Sequence, residues 1–199
     1  LRLDMITPRR PNGPPPTRDP ASVPVVTYRY DPTAPGEPAV TLNMNGETVD
    51  FIPMMPSHTG GDTVVRFRNA NVIYIEDFYR NFGFPFAAQT SGGSIQGMIE
   101  AIDLFQTIAG PDTWLVPGHG TLIHREDLLP YRAMLVDIVT KVTARRDQGQ
   151  SLEEVLAANL TAPYEAQGDT QQSRDRFIRA VYAEARDFPP IVNGRRAMP

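Results

Sequence analysis

The chain has 199 residues, enough for one domain of ordinary size or for most of a larger one. With 19 Lys and Arg against 23 Asp and Glu, its formal net charge is −4; because phosphate binding requires clustered positive charge, we expect no nucleic-acid partner. Cysteine is absent, which excludes disulfides and thiolate ligands and leaves His, Asp and Glu for any metal site. No apolar run approaches the ~20 residues of a membrane span, so no membrane partner is expected either.

The proline content divides the chain into three parts. Half of its 20 prolines precede residue 39. Because proline fixes φ and removes a backbone donor, residues 1–22 are predicted to form an extended loop segment. Residues 23–186 are predicted to form the folded portion, beginning with a short strand at a sheet edge over Val23–Tyr30, and residues 187–199 a loose tail.

Alternation of apolar and polar residues predicts several strands in the first half. Apolar residues of Ala39–Ile52 alternate on both sides of Asn45-Gly46, a pair that suits a type I′ turn, so this segment is predicted to be a β-hairpin. A second strand pair is predicted at Thr63–Arg68 and Val72–Ile75, the latter continuously apolar, as is typical of a strand covered on both faces. Thr113–Val116 predicts one more short strand.

The second half of the chain is predicted to be mainly helical. Apolar residues recur at helical spacing in Ser94–Ala109, Glu126–Arg146, Leu152–Asn159 and Ser173–Arg186. Ser94 can cap the first of these helices, and Ser151 with Glu154 forms a capping box for the third. The order of elements therefore predicts an α/β (α+β) domain in which both kinds of element share one layered structure.

Only three histidines are present, and two of them follow predicted strands within glycine-rich loops. His58 precedes Thr-Gly-Gly-Asp, and His119 lies in Pro-Gly-His-Gly. Asp77 follows the apolar strand Val72–Ile75. If these strands are neighbours, their ends lie about 5 Å apart per strand step, close enough to share a cation. Imidazoles with a carboxylate suit Zn²⁺, with Fe and Mn less favoured.

Structural roles are open for most of these residues. A single loop histidine is more often a turn or capping residue than a ligand, Asp77 could cap the following turn, and Asp62 could close a β-turn. His124 is interpreted as a surface or capping residue and Trp114 as part of the core. A group of aromatic residues could equally wall a substrate pocket or pack in the core: Phe78, Tyr79, Phe82, Phe84 and Phe86.

Taken together, these motifs resemble the C-terminal half of metallo-β-lactamase-fold hydrolases. The resemblance rests on His58-Thr59-Gly60-Gly61-Asp62, Tyr74 to Tyr79, Ser91-Gly92-Gly93-Ser94, Gly97-Met98 and Pro117-Gly118-His119-Gly120, and it extends from about Val23 to Tyr182. It implies part of an αβ/βα sandwich with metals at one edge of two facing sheets. His58 resembles a ligand of the first metal, Asp77 the carboxylate that bridges both, and His119 the last ligand of the second.

The resemblance also implies an activity. One or two zinc ions would generate hydroxide that attacks an ester, lactone, thioester or amide-type bond of a small-molecule substrate, with Asp62 orienting a ligand and Asp77 at the reaction centre. Glu76-Asp77 stands where the family usually has Gly-Asp, a departure that could narrow the pocket.

One motif of the family is not found in this chain. The N-terminal His-x-His-x-Asp-His segment is missing, and three histidines in total cannot supply it. We therefore expect the N-terminal half, or a second copy of the chain as a homo-oligomer, to complete the site, because a bare sheet face would expose apolar surface. The alternative is a catalytically inactive remnant that acts as a binding or oligomerising module.

Overall fold

The structure is a computed structural model and describes residues 24–167, 170–184, 191–192 and 195–196. A five-stranded sheet forms its centre. Its strands are Val40–Met44 (β1), Glu47–Pro53 (β2), Thr63–Phe67 (β3), Val72–Glu76 (β4) and Trp114–Pro117 (β5). They lie in the order β1-β2-β3-β4-β5, and a separate two-stranded pair joins Ile191–Val192 (β6) to Arg195–Arg196 (β7). The predicted segment 1–22 lies outside the described residues, as does most of the predicted tail 187–199.

The predicted hairpin is confirmed. Strands β1 and β2 pair antiparallel around Asn45 and Gly46, which both have positive φ, at 52° and 75°, as a type I′ turn requires. Strand β3 pairs antiparallel with β2 and β4, and β5 joins β4 in parallel after a helical crossover. The strand predicted at Val23–Tyr30 is wrong for residues 24–30, which pair with no strand; Val25 is 90% exposed there. The segment is rich in β-branched residues, but no neighbouring strand among the described residues supplies the backbone hydrogen bonds that a strand needs.

The four predicted helices are present. They are Ile95–Ile108 (α1), Leu128–Asp147 (α2), Leu152–Ala157 (α3) and Gln171–Glu184 (α4), with short 3₁₀ turns at Gln89–Ser91, Arg125–Asp127 and Ala162–Gln167. The capping predictions are confirmed: Ser94 accepts from the Gly97 amide, and Ser151 forms a reciprocal capping box with Glu154. None of the described helices is long and apolar enough to cross a bilayer.

One face of the sheet, the inner face, packs against the helices. Ile52, Val64, Ile73, Ile75 and Leu115 are each at most 1% exposed. They join the buried sides of α1, α2 and α4 in one continuous core. The mixed layer of helices over a sheet therefore agrees with the predicted fold class.

The opposite face, which we call the outer face, carries apolar side chains across all five strands. Cross-strand pairing aligns them in two rows, Val40–Phe51–Val65–Tyr74–Val116 and Leu42–Val49–Phe67–Val72–Trp114. Of these ten side chains only Val49 is buried, while Leu42 and Trp114 are each 45% exposed. Six of the others are half-buried, so this face is partly exposed in the part of the chain that the structure describes.

Two predictions about burial are corrected by this arrangement. Strand β4 was predicted to be covered on both faces, yet only Ile73 and Ile75 on its inner side are buried, and Tyr74 is 37% exposed. Trp114 was interpreted as a core residue but lies on the outer face, where its ring packs on His124 with centroids 4.1 Å apart. The apolar composition of β4 and of the segment around Trp114 is suited to burial, but the described residues leave Tyr74 and Trp114 exposed.

Candidate metal centre

The direction of the strands brings three loops to one edge of the sheet. Because β2 and β4 are each antiparallel to β3, and β5 is parallel to β4, the strands β2, β4 and β5 run in the same direction. Their C-terminal ends therefore meet at one edge. His58 follows β2, Asp77 follows β4, and His119 follows β5, so the topology places all three predicted ligands there.

The loop that carries His58 is docked onto the segment before α1 by backbone hydrogen bonds. The Ala88 amide donates to the His58 carbonyl, and the Gly60 amide donates to the carbonyl of Ser91, both at 2.8 Å. Gly97 permits close packing, since a Cβ added there would lie 1.8 Å from the Pro56 carbonyl oxygen. The position of His58 is thus set by contacts with a rigid neighbour rather than by its own loop alone.

The ring of His58 is oriented by a backbone carbonyl, a contact that no sequence motif identifies. His58 Nδ1 lies 2.8 Å from the Phe86 carbonyl oxygen, and because a carbonyl only accepts, Nδ1 carries the proton and donates. In the neutral ring, Nε2 then presents its lone pair, and it faces Asp77 Oδ2 at 3.4 Å. This is the arrangement typical of a metal-binding histidine, whose second nitrogen is held by a carbonyl or carboxylate.

His119 approaches the same carboxylate from the other side. Its Nε2 lies 3.6 Å from Asp77 Oδ1, and its side chain is 61% exposed, whereas that of Asp77 is 21% exposed. The Gly118 amide donates to the Glu76 carbonyl at 2.6 Å, which ties the β5 loop to the end of β4. The structure therefore brings His58, Asp77 and His119 together, with one imidazole at each carboxylate oxygen.

The donor atoms, two imidazole nitrogens and the two oxygens of one carboxylate, are of the types that zinc binds in proteins. Two ligands about 2.0–2.1 Å from a tetrahedral zinc ion lie about 3.3 Å from each other, close to the two N–O separations observed here. Both separations are also within ion-pair distance, although charge-assisted N–H···O bonds are commonly shorter, at about 2.7–2.9 Å. The two imidazoles face different oxygens of the carboxylate.

These three side chains supply too few donor atoms to complete a zinc site. Each side of the carboxylate has one imidazole and one oxygen, whereas zinc sites in proteins use at least three protein ligands. In agreement, no group of three or more His, Asp or Glu side chains within the described ranges is arranged to hold a metal ion as it stands. The sharing of a cation by these side chains therefore stays a prediction.

Asp62 stabilises the His58 loop. It is 2% exposed, and its carboxylate accepts from the Thr59 amide, with both oxygens 3.0 Å from the nitrogen, and from the Thr59 hydroxyl. The Met54 amide also donates to the Asp62 carbonyl at 2.9 Å. These contacts match the turn-closing role that the sequence left open and leave the direct orientation of the His58 ring to Phe86.

Glu76 is a feature of this edge that the motifs did not indicate beyond its departure from glycine. It has a φ of 51°, a left-handed conformation that favours glycine, and it coincides with a shift in the β4–β5 register. Burial, and next the charge of Asp62, raise the pKa of its carboxyl above the ordinary value, although His58 opposes the rise. Its Oε2 atom is buried without a hydrogen-bond partner among the described residues.

The remaining candidates lie around the centre with different roles. His124 contacts Trp114 and places Nδ1 3.0 Å from the Thr113 carbonyl oxygen, at the start of a 3₁₀ turn, as its capping interpretation implied. Of the aromatic residues interpreted as either core or pocket wall, Phe78 and Phe84 lie in the core and are at most 1% exposed. Phe86 packs edge-on against His58, with ring centroids 5.7 Å apart. Tyr79 packs on Tyr131, and Phe82 is 49% exposed.

Comparisons with known proteins identify the fold. A scan against protein-family models and a search of curated protein sequences both return no match. Among solved structures, the chain is similar to a stereoselective inverting sec-alkylsulfatase from Pseudomonas sp., with 16% identity and a TM-score of 0.54 over 74% of this chain and 25% of that one. It is also similar to a metallo-beta-lactamase family protein from Thermus thermophilus, with 13% identity and a TM-score of 0.50 over 75% of this chain and 46% of that one.

The chain spans less than half the length of either structure. At these identities the similarity concerns the fold, and it agrees with the five-stranded sheet, the four helices and the parallel β4–β5 crossover described above. The resemblance indicated by the motifs is thereby confirmed at the level of fold: over about three quarters of its length the chain has a fold similar to that of these two structures.

Proposed function

We propose that this chain carries part of the active site of a zinc-dependent hydrolase that acts on a small-molecule substrate. The observation that carries the proposal is the convergence of two imidazoles on one carboxylate, with His58 Nε2 3.4 Å from Asp77 Oδ2 and His119 Nε2 3.6 Å from Asp77 Oδ1. The fold supports it, because the solved structures of this fold include an alkylsulfatase and a metallo-beta-lactamase family protein.

Each residue has a separate task in this proposal. His58 and His119 would each hold one ion, and Asp77 would bridge the two. Bound zinc lowers the pKa of a coordinated water towards about 7 and polarises a carbonyl, which suits hydrolysis of an ester, lactone, thioester or amide-type bond. Asp62 acts as a positioning residue, because it closes the loop that presents His58. Iron and manganese are less favoured with this imidazole content.

The remaining ligands would come from polypeptide other than these 199 residues. The outer face of the sheet supports this step, since its two apolar rows have the pattern of a sheet that packs face to face on a second one. A preceding half of a longer protein, or a second copy of the chain, would cover this face and add ligands at the same edge. Activity would require that completed site.

Zinc binding by single variants tests the proposal. We expect the assembly in which the outer face is covered and the site completed to bind zinc in competition with a chromophoric chelator. His58→Ala and His119→Ala should each weaken that binding by at least about tenfold, because each removes one protein ligand. His124→Ala is the matched control, since His124 contacts Thr113 and Trp114 instead of the cluster. Circular dichroism would verify that every variant is folded.

Retention of the parent affinity by both His58→Ala and His119→Ala would overturn the assignment. Hydrolysis is tested on the completed assembly, formed either with a preceding half or with a second copy of the chain, on an ester, a thioester, a lactone, a β-lactam and a sulfate ester. There, His119→Ala should abolish turnover, while His124→Ala should leave it near the parent rate.

A second candidate function is a binding or oligomerising module without catalysis, and the uncovered outer face favours it. This alternative predicts strong self-association of the chain with little bound zinc. Zinc content and molecular mass measured on the assembly in which the outer face is covered separate the two: zinc lost in the His58 and His119 variants supports the hydrolase, and the absence of zinc from that assembly supports the module.

A further inference from the structure

A cleft of about 750 Å³ opens beside the candidate metal centre, between α4 and the segment 86–90. Phe86, Thr90 and Gln172 line it together with three charged side chains, Asp175, Arg176 and Arg179, and alanines form most of the rest. We propose that this cleft binds the carboxylate of an elongated substrate whose reactive bond lies at the His58–Asp77–His119 centre. The inference rests on the proposed hydrolase function and specifies its substrate class.

The charges in the cleft favour a singly charged anion. Two arginines and one aspartate leave a net charge of +1. A carboxylate balances that charge, whereas a doubly charged phosphate would place excess negative charge beside Asp175. A guanidinium also offers parallel N–H groups that match the two oxygens of a carboxylate.

Arg176 is held in place by an aromatic ring. Its guanidinium carbon lies 4.4 Å from the centroid of the Phe86 ring, a cation–π contact, and it donates to the Ser173 hydroxyl at 3.3 Å. This leaves other N–H groups of the guanidinium for a ligand. Arg179 is exposed, and none of the described residues forms a hydrogen bond or ion pair with its guanidinium, so a ligand can reach it without displacing a protein partner.

Phe86 connects the cleft to the metal centre. Its ring centroid lies 4.4 Å from the Arg176 guanidinium carbon and 5.7 Å from the His58 ring centroid, and its carbonyl accepts from His58 Nδ1. The guanidinium carbon of Arg176 is therefore no farther than about 10 Å from the His58 ring, the length of the two contacts in series. One small molecule can span that distance, with an apolar middle portion along Phe86 and the neighbouring alanines.

Nuclear magnetic resonance on the ¹⁵N-labelled 199-residue chain, with a chelator present so that no carboxylate binds zinc, tests this assignment. The probes are 4-phenylbutyrate and its neutral analogue 4-phenylbutyramide. We expect the carboxylate to shift the amide signals of Thr90 and Gln172, and the amide analogue to bind at least about tenfold more weakly.

Arg179→Gln and Arg176→Gln should each weaken 4-phenylbutyrate binding by about tenfold, and Arg179→Lys should restore part of it. Arg29→Gln is the matched control, because it removes the same charge from an exposed arginine that does not line the cleft. Since Arg179 is exposed, we expect its variants to remain folded, which their amide spectra would show.

The assignment is overturned if the amide analogue binds as tightly as the carboxylate, if Arg179→Gln keeps the parent affinity, or if the shifted signals map away from the cleft. Zinc binding measured on the same variants separates this result from the proposed function. His119→Ala should lose zinc binding and keep 4-phenylbutyrate binding. Arg179→Gln should keep zinc binding and lose 4-phenylbutyrate binding.

Discussion

Glycine 118 shows how closely the backbone approaches the carboxylate at the centre. A Cβ added there would lie 2.7 Å from Asp77 Oδ1 and 3.3 Å from the carbonyl carbon and oxygen of Glu76. The first contact is shorter than real Cβ atoms tolerate. The Glu76 backbone atoms are also close to the added Cβ, which restricts a shift of the loop away from Asp77. The position of Asp77 thus favours glycine at residue 118 of the Pro-Gly-His-Gly motif.

Gly118→Ala should therefore displace the Asp77 side chain and weaken zinc binding by at least about tenfold, the usual cost of disturbing the partners of a metal ligand. The measurement is chelator competition on the parent and the variant, with circular dichroism to verify folding. Gly110→Ala provides a control, because its added Cβ meets only the Thr113 hydroxyl, at 3.3 Å. Equal zinc affinity in Gly118→Ala and the parent would show that Asp77 is not constrained in this way.

Among the elements, strands β1 to β3 are linked by one buried carboxylate. Asp50 on β2 is 0% exposed and accepts from the Thr41 hydroxyl on β1, from Arg66 on β3 and from Arg68 just after β3. Burial alone would raise the pKa of Asp50, but the hydrogen bonds from Arg68, Arg66 and Thr41 outweigh it and lower the pKa to about 2. Deprotonated Asp50 thus stabilises the part of the sheet that is farthest from the helical crossover.

Asp50→Asn should lower the free energy of unfolding at pH 7 by about 2 kcal/mol, the value of a pKa shift of this size. Because the folded pKa is depressed, the stabilisation is present above the unfolded value near 3.8 and is lost as the pH falls towards 2. Urea unfolding should show the same gap between parent and variant at pH 7 and pH 5 and a smaller gap at pH 3. Asp112→Asn, at an exposed position, should show no such gap, and a gap for Asp50→Asn that is constant with pH would contradict the assignment.

At the scale of the whole molecule, the two faces of the sheet differ in what covers them. The inner face lies beneath the helices, whereas the outer face places two five-residue apolar rows at the surface of the described structure. An open apolar surface of this kind is typical of an interface. Self-association through this face is therefore the prediction that belongs to the whole molecule.

The isolated chain should accordingly self-associate through the outer face. Tyr74→Glu, which puts a charge in the middle of one apolar row, should raise the dissociation constant of the assembly by at least about tenfold, because burying an unpaired charge is costly. Leu129→Glu is the matched control: Leu129 is 49% exposed on α2 and Tyr74 is 37% exposed. Sedimentation velocity over a concentration series measures both, and equal effects of the two substitutions would exclude the outer face as the interface.

Local patterns in the sequence were sufficient for most individual elements. The Asn45-Gly46 turn, the Ser94 cap and the Ser151–Glu154 capping box are decided by neighbouring residues, and each is confirmed. The Val23–Tyr30 strand failed over its described residues because pairing depends on a partner that composition does not specify. The same holds for Trp114, whose exposure depends on what lies over the outer face.

By itself, the sequence determined the residue types of the centre and the order in which they follow their strands, and so the fold to which they belong. Only the tertiary structure decided that His58 and His119 face different oxygens of Asp77, that the Phe86 carbonyl orients His58, and that Asp62 closes the loop. These contacts join residues on different strands and loops, and a backbone carbonyl leaves no mark in the side-chain pattern. Their geometry is therefore fixed by strand direction and by packing between segments, which no local pattern encodes.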